Sequence, residues 1–154
     1  MNRHFEIASW DIFLQLITTS ICILAIGMII YNPDTMPILI WGGIIVGSAL
    51  FMVRGYSIQN STLIIQRLGW TTEFDLTNLK KVELKPGAMK KSWRTFGIGG
   101  LFGWIGKFYN NRLGSYRAYA TNRYKCVVLE LEETKLIVTP KDPARFVETV
   151  EEFL

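Results

Sequence analysis

The sequence predicts a two-part chain: a membrane α-helical hairpin, then a mainly-β barrel of about seven strands ending in a C-terminal α-helix. Three observations predict it. Ile12 to Tyr31 runs for 20 residues without a charge, and a helix of that length rises roughly 30 Å, one hydrocarbon core. Pro37 to Val53 is a second uncharged run. From Gly55 onward, short alternating runs broken by turn residues replace the apolar blocks, and the final residues return to helical periodicity. Residues 1–54 are therefore assigned to an N-terminal segment with two spans, 12–31 and 37–53, and residues 55–154 to the domain.

Between the spans lies only Asn32-Pro33-Asp34-Thr35-Met36. Pro33 stops the first helix, Asp34 or Thr35 can cap the second, and Pro37 suits its first turn. The second run is short, and is completed by Met36 and by Arg54 snorkelling outward. A cleaved leader is disfavoured because the apolar stretch is long and no A-x-A site follows it. Arg3 precedes the first span, Arg54 and a basic domain follow the second, and the connection carries only Asp34, which puts both termini in the cytoplasm. Trp10 and Tyr31 stand where interfacial aromatics are expected.

Within the spans, Gln15, Thr18, Thr19 and Cys22 share one side of the first helix, and Gly43-x-x-x-Gly47 offers close approach on the second. Packing within the hairpin is the expected use, with homo-oligomer contact as the alternative. Cys22 in a span and Cys126 in a strand cannot meet in a disulfide without one leaving the bilayer.

Fifteen of the 17 basic residues and ten of the 13 acidic ones follow residue 54, so the domain alone is net +5. That charge is local: Lys80 to Lys125 holds eleven Lys/Arg against Glu83 alone, whereas Cys126 to Leu154 holds three against seven acids. The strand pattern gives Tyr56–Gln59, Leu63–Arg67, Thr71–Leu76 and Leu79–Lys85 in meander order, then Ser115–Thr121, Cys126–Leu131 and Lys135–Thr139 after a long interruption. Asp142 can cap and Pro143 can open a helix whose Phe146, Val147, Val150, Phe153 and Leu154 form an apolar stripe.

Arg94 to Phe108 (RTFGIGGLFGWIGKF), Ala118 to Asn122 (AYATN) and Thr139 to Pro143 (TPKDP) resemble the pattern of bacterial pleckstrin-homology-domain membrane proteins. The resemblance covers residues 55 to 154. It implies a pleckstrin-homology (PH)-like barrel and attachment to the bacterial cytoplasmic membrane, without defining an activity.

Gly97, Gly99, Gly100, Gly103 and Gly106 read as a Gly-rich loop. Their spacing misses G-x-G-x-x-G by one, and no Walker Lys-Ser pair follows, so a nucleotide cradle is not expected. The same stretch interleaves aromatics with cations, and Lys90, Lys91, Trp93, Arg94, Phe102, Trp104, Lys107, Phe108 and Arg112 are the candidate membrane and lipid contacts. The turn Gln59-Asn60-Ser61-Thr62 is uncharged, which argues against the inositol-phosphate pocket of eukaryotic PH domains. Arg117, Tyr119, Arg123 and Lys125 would suit a nucleic-acid backbone, but anchoring makes lipid the simpler partner. The only histidine is His4, and no nucleophile triad or zinc-ligand spacing can be assembled, so neither an enzyme nor a cofactor is expected. The reading is a non-catalytic, membrane-anchored adaptor that binds a partner protein by strand addition beside the terminal helix. Its alternatives are an anionic-lipid-binding surface module and an accessory subunit of a larger membrane complex.

Overall fold

The structure is a computed structural model describing residues 2–154. Its first element was not expected from the sequence: β1 (Asn2–Glu6) precedes α1 (Ile12–Tyr31) and α2 (Thr35–Leu50) and pairs antiparallel with β2 (Val53–Gln59), Phe5 opposite Tyr56. The helical hairpin is thus an insertion between two neighbouring strands of one sheet. The expected division at residue 54 cuts β1 away from the domain it belongs to.

Helix α1 has the bounds that its charge-free run predicts. Asp11 caps it, accepting from the Leu14 amide at 2.8 Å. Among the described residues α1 alone is long and apolar enough to cross a bilayer by length and composition, with mean hydropathy 2.3. Helix α2 corrects the second expected span. It has 16 residues rather than 17 ending at Val53, about 24 Å at 1.5 Å per residue. Phe51 closes it, and Val53 is drawn into the core as the first residue of β2. An added Cβ at Gly43 or Gly47 would meet nothing within 4 Å, so these glycines do not make the close approach to α1 expected of them.

β3 (Thr62–Arg67) and β4 (Thr71–Asp75) complete a four-stranded sheet in the order β1-β2-β3-β4. The expected meander ends there. β5 (Leu79–Leu84) opens a second sheet instead, joined by β6 (Trp93–Gly99), β7 (Trp104–Asn110), β8 (Gly114–Ala120), β9 (Val127–Leu131) and β10 (Lys135–Val138), in the order β5-β9-β10-β8-β7-β6. Among the described residues ten strands replace the seven expected, the additions being β1, β6 and β7. The stretch read as a Gly-rich loop is the β6–β7 hairpin, with Gly97 paired to Gly106.

Both faces of β9 and β10, in the second sheet, are covered, as period-two alternation shows. Val127, Leu129, Leu136 and Val138 join Tyr56, Leu63 and Ile65 of the first sheet in the main core, while Val128 and Ile137 turn to a second cluster with Ala88, Met89, Phe108 and Tyr116. Helix α3 (Pro143–Glu151) lies against the main core through Phe146 and Val150. Its cap is the Asp142 carboxylate, accepting from the Arg145 amide at 3.2 Å, with Pro143 in the first turn. Phe5 of β1 meets Phe146 edge-to-face at 5.0 Å, tying the first strand to the last helix.

Candidate functional site

The segment entering α1 is bound by the two short motifs that carried the family resemblance. Ala8 donates to the Thr139 carbonyl at 2.8 Å, Lys141 to the Glu6 carbonyl at 2.8 Å, and Asn122 Nδ2 to the Ser9 carbonyl at 2.8 Å. Thr121 Oγ1 donates to the Ala8 carbonyl at 2.8 Å, and its amide donates to Thr139 Oγ1 at 2.9 Å. Tyr56 reinforces the same place, donating to the Tyr119 carbonyl at 2.6 Å and accepting from the Thr139 amide at 3.1 Å. Burial pushes its hydroxyl up to about 12. At the helix entry, Asp11 holds both the α1 cap and Arg123, whose Nε lies 3.1 Å from the carboxylate, and only 1% of the Asp11 side chain is exposed. The Arg123 guanidinium in turn lies over Phe13 at 4.3 Å and Trp104 at 5.0 Å.

The tip of the β6–β7 hairpin rests on α1. Thr18, buried, donates to the Gly100 carbonyl at 3.2 Å and accepts from the Phe102 amide at 3.3 Å. Phe13 stacks on Trp104 with centroids 6.0 Å apart, Trp10 meets Phe102 edge-to-face at 6.1 Å, and a Cβ at Gly100 would press on Ile17 at 3.1 Å. The face expected to bind α2 therefore does something else: Thr18 serves the domain, Gln15 Nε2 donates to the Trp10 carbonyl at 2.9 Å, and Thr19 is exposed. Cys22 is half-buried.

The candidate lipid contacts separate into groups. Lys90, Lys91, Trp93 and Arg112 line one cavity of 710 Å³ with Ser92, Asn110 and Asn111. Lys90 and Lys91 also border an adjoining 340 Å³ cavity with Trp104, Phe108 and Arg123. Phe102 contacts the α1 entry through Trp10, and Phe108 is buried in the second cluster rather than presented. Arg94 and Phe96 are exposed on the edge strand β6, Phe96 at 75%. Lys107 stands opposite Phe96 across the β6–β7 pair and lines the seam between the two sheets.

That seam holds residues the sequence did not single out. A cavity of 210 Å³ is lined by Arg67, Lys107 and Arg117 together with Phe51, Phe96 and Tyr119, and by no carboxylate. Arg67 sits among aromatic rings, its guanidinium carbon 4.7 Å from the Tyr119 centroid, 5.3 Å from Trp70 and 5.9 Å from Phe51. Its Nη2 donates to Thr72 Oγ1 at 2.6 Å, but its buried Nε makes no hydrogen bond of acceptable geometry. Burial lowers the Arg67 pKa, and neighbouring Tyr119 works in the opposite direction. Lys107 and Arg117 also border a 560 Å³ cavity whose other walls include Glu73, Asp75, Glu132 and Glu133. Among the described residues none of the three cations forms an ion pair. Cys126 offers no nucleophile, because burial holds its thiol up at about 11.

Two curled sheets with a C-terminal helix against their shared core define a PH-like binding module, a class generally without catalysis of its own. The bacterial PH domain family matches residues 54–153, and the chain belongs to that family. No curated protein and no solved structure matches the chain.

Proposed function

We propose that the chain is a non-catalytic binding module anchored in the cytoplasmic membrane by α1 and α2, with both termini cytoplasmic, and that its barrel binds the bilayer surface. The observation that carries this reading is the docking of the hairpin tip on α1. Thr18 lies about 9 Å along α1 from Ile12, so a bilayer around α1 brings Leu101 and Phe102 to interfacial depth. The Leu68-Gly69-Trp70 turn is held at the end of α2 by the Gly69 amide donating to the Leu50 carbonyl at 2.9 Å. Trp10, Trp70 and Phe96 then form an aromatic rim. Lys90, Lys91, Arg94 and Arg112 add attraction to an anionic leaflet of about 1 kcal/mol each.

The test uses the full chain in nanodiscs whose lipids carry bromine just below the headgroup. Variants retaining only Trp70 or only Trp104 should show strong fluorescence quenching. Unquenched emission from both would sink the reading. A partner protein is the second reading, supported by β5, an edge strand beside α3 whose Leu84 is 48% exposed.

A further inference from the structure

We infer that the seam between the two sheets is a headgroup site for a zwitterionic phosphate–ammonium lipid of the phosphoethanolamine class, the phosphate held by Arg67, Lys107 and Arg117. This rests on the proposed membrane anchoring. The direction of the seam carries the inference. Arg67 lies at the end of β3 next to the turn held by α2, and Ile105 lies one residue into β7 from Trp104, which stacks on Phe13 of α1. The cationic cavity is therefore the helix-proximal part of the seam. Beyond Lys107 and Arg117, toward the Ser115 end of β8 and away from Trp104, the walls become Ser115 itself, Glu73 and Asp75 of β4, and Glu132 and Glu133 of the turn after β9. A headgroup entering past Phe51 and Phe96 meets three cations first and four carboxylates next. That order is the order of charges in phosphoethanolamine.

The chemistry of Arg67 favours an anion in particular. Its guanidinium is fixed by three rings and Thr72, so little side-chain entropy remains to be lost on binding, and its buried Nε keeps a donor without an acceptor. A surface lysine cluster would attract any anionic leaflet, whereas this site demands a phosphate at one place and an ammonium at another.

The full chain in a neutral detergent is titrated calorimetrically with dihexanoyl phosphatidylethanolamine, dihexanoyl phosphatidylglycerol and inorganic phosphate. The first should bind most tightly. Lys107→Gln with Arg117→Gln, both exposed positions, should weaken it about tenfold or more, as expected for lost charge-assisted contacts. Glu132→Gln with Glu133→Gln should erase its advantage over the glycerol headgroup. Equal affinity in the Lys107/Arg117 variant overturns the site, as does phosphatidylglycerol binding as tightly as phosphatidylethanolamine. Inorganic phosphate matching the lipid overturns the lipid source. The tryptophan quenching described above keeps the two ideas apart: quenching of the single-tryptophan chains together with failure of the full chain to bind headgroups leaves the proposed anchoring intact and removes this site alone.

Discussion

Tyr56 joins three parts of the chain with one hydroxyl, which donates to Tyr119 on β8 and accepts from the Thr139 amide after β10. Replacing it with Phe removes both of these buried hydrogen bonds, a loss of about 2 kcal/mol. Thermal unfolding of Tyr56→Phe in detergent should show that drop. A melting point equal to the wild type would mean the network is not coupled to stability. The hydroxyl also fixes an alkaline limit. Its folded pKa of about 12 lies above the ordinary tyrosine value of 10.0, so its contribution is complete below pH 10 and fades as the pH rises toward 12. Cys126, raised from 9.0 to about 11, works in the same direction. The sequence did not disclose these roles, because a tyrosine in a strand reads as core whether or not its oxygen has work to do. Arg67 was hidden for a related reason: a single arginine ending a strand looks solvated, and only the approach of Phe51 and Tyr119 from distant elements makes it a binding group. The basic cluster of Lys90, Lys91 and Arg112 was legible because charge density survives without knowledge of the fold.

The β6–β7 hairpin shows why an element can be missed. Its glycines weaken strand propensity, yet they are what lets the hairpin form. Gly97 and Gly106 face each other with φ of 107° and 132°. A Cβ on Gly97 would stand 2.2 Å from the Ile105 carbonyl oxygen, and one on Gly106 would stand 2.2 Å from that of Phe96. Gly106→Ala must therefore separate the strands, adding roughly 1–3 kcal/mol of backbone strain. Hydrogen exchange should quicken across Trp93–Asn110 in that variant while β9 and β10 keep their protection. Unchanged exchange in the hairpin would contradict the geometry. By contrast, α1 was legible to the residue, since a charge-free run between Asp11 and Pro33 leaves little choice. The seven recovered strands carry ordinary alternation between turn residues, although the partner of β5 was not readable from its position next to β4 in the chain.

At the scale of the molecule, the helical hairpin is not appended to the barrel but inserted between two neighbouring strands of one of its sheets. β1 pairs with β2 from Asn2 opposite Gln59 to Glu6 opposite Gly55, across an insertion that contains both helices. No local pattern announces such a pairing, because Asn-Arg-His-Phe-Glu offers one apolar side chain and its partner lies some fifty residues away. The motifs at Ala118–Asn122 and Thr139–Pro143 were visible in the sequence, but not that they receive residues 6–11. A fragment of residues 55–154 would lose β1, the buried Phe5 against Phe146, and the Ala8, Ser9 and Asp11 contacts. Truncating one buried phenylalanine costs about 3–5 kcal/mol, against a total stability of about 5–15 kcal/mol for an ordinary domain. It would also bare the β2 edge, a template for aggregation. The fragment should therefore aggregate or melt far below the full chain, and Phe5→Ala in the full chain should fall between them. A soluble fragment that melts within a few degrees of the full protein would show that β1 is dispensable, and that the helical hairpin is attached to a domain able to stand alone.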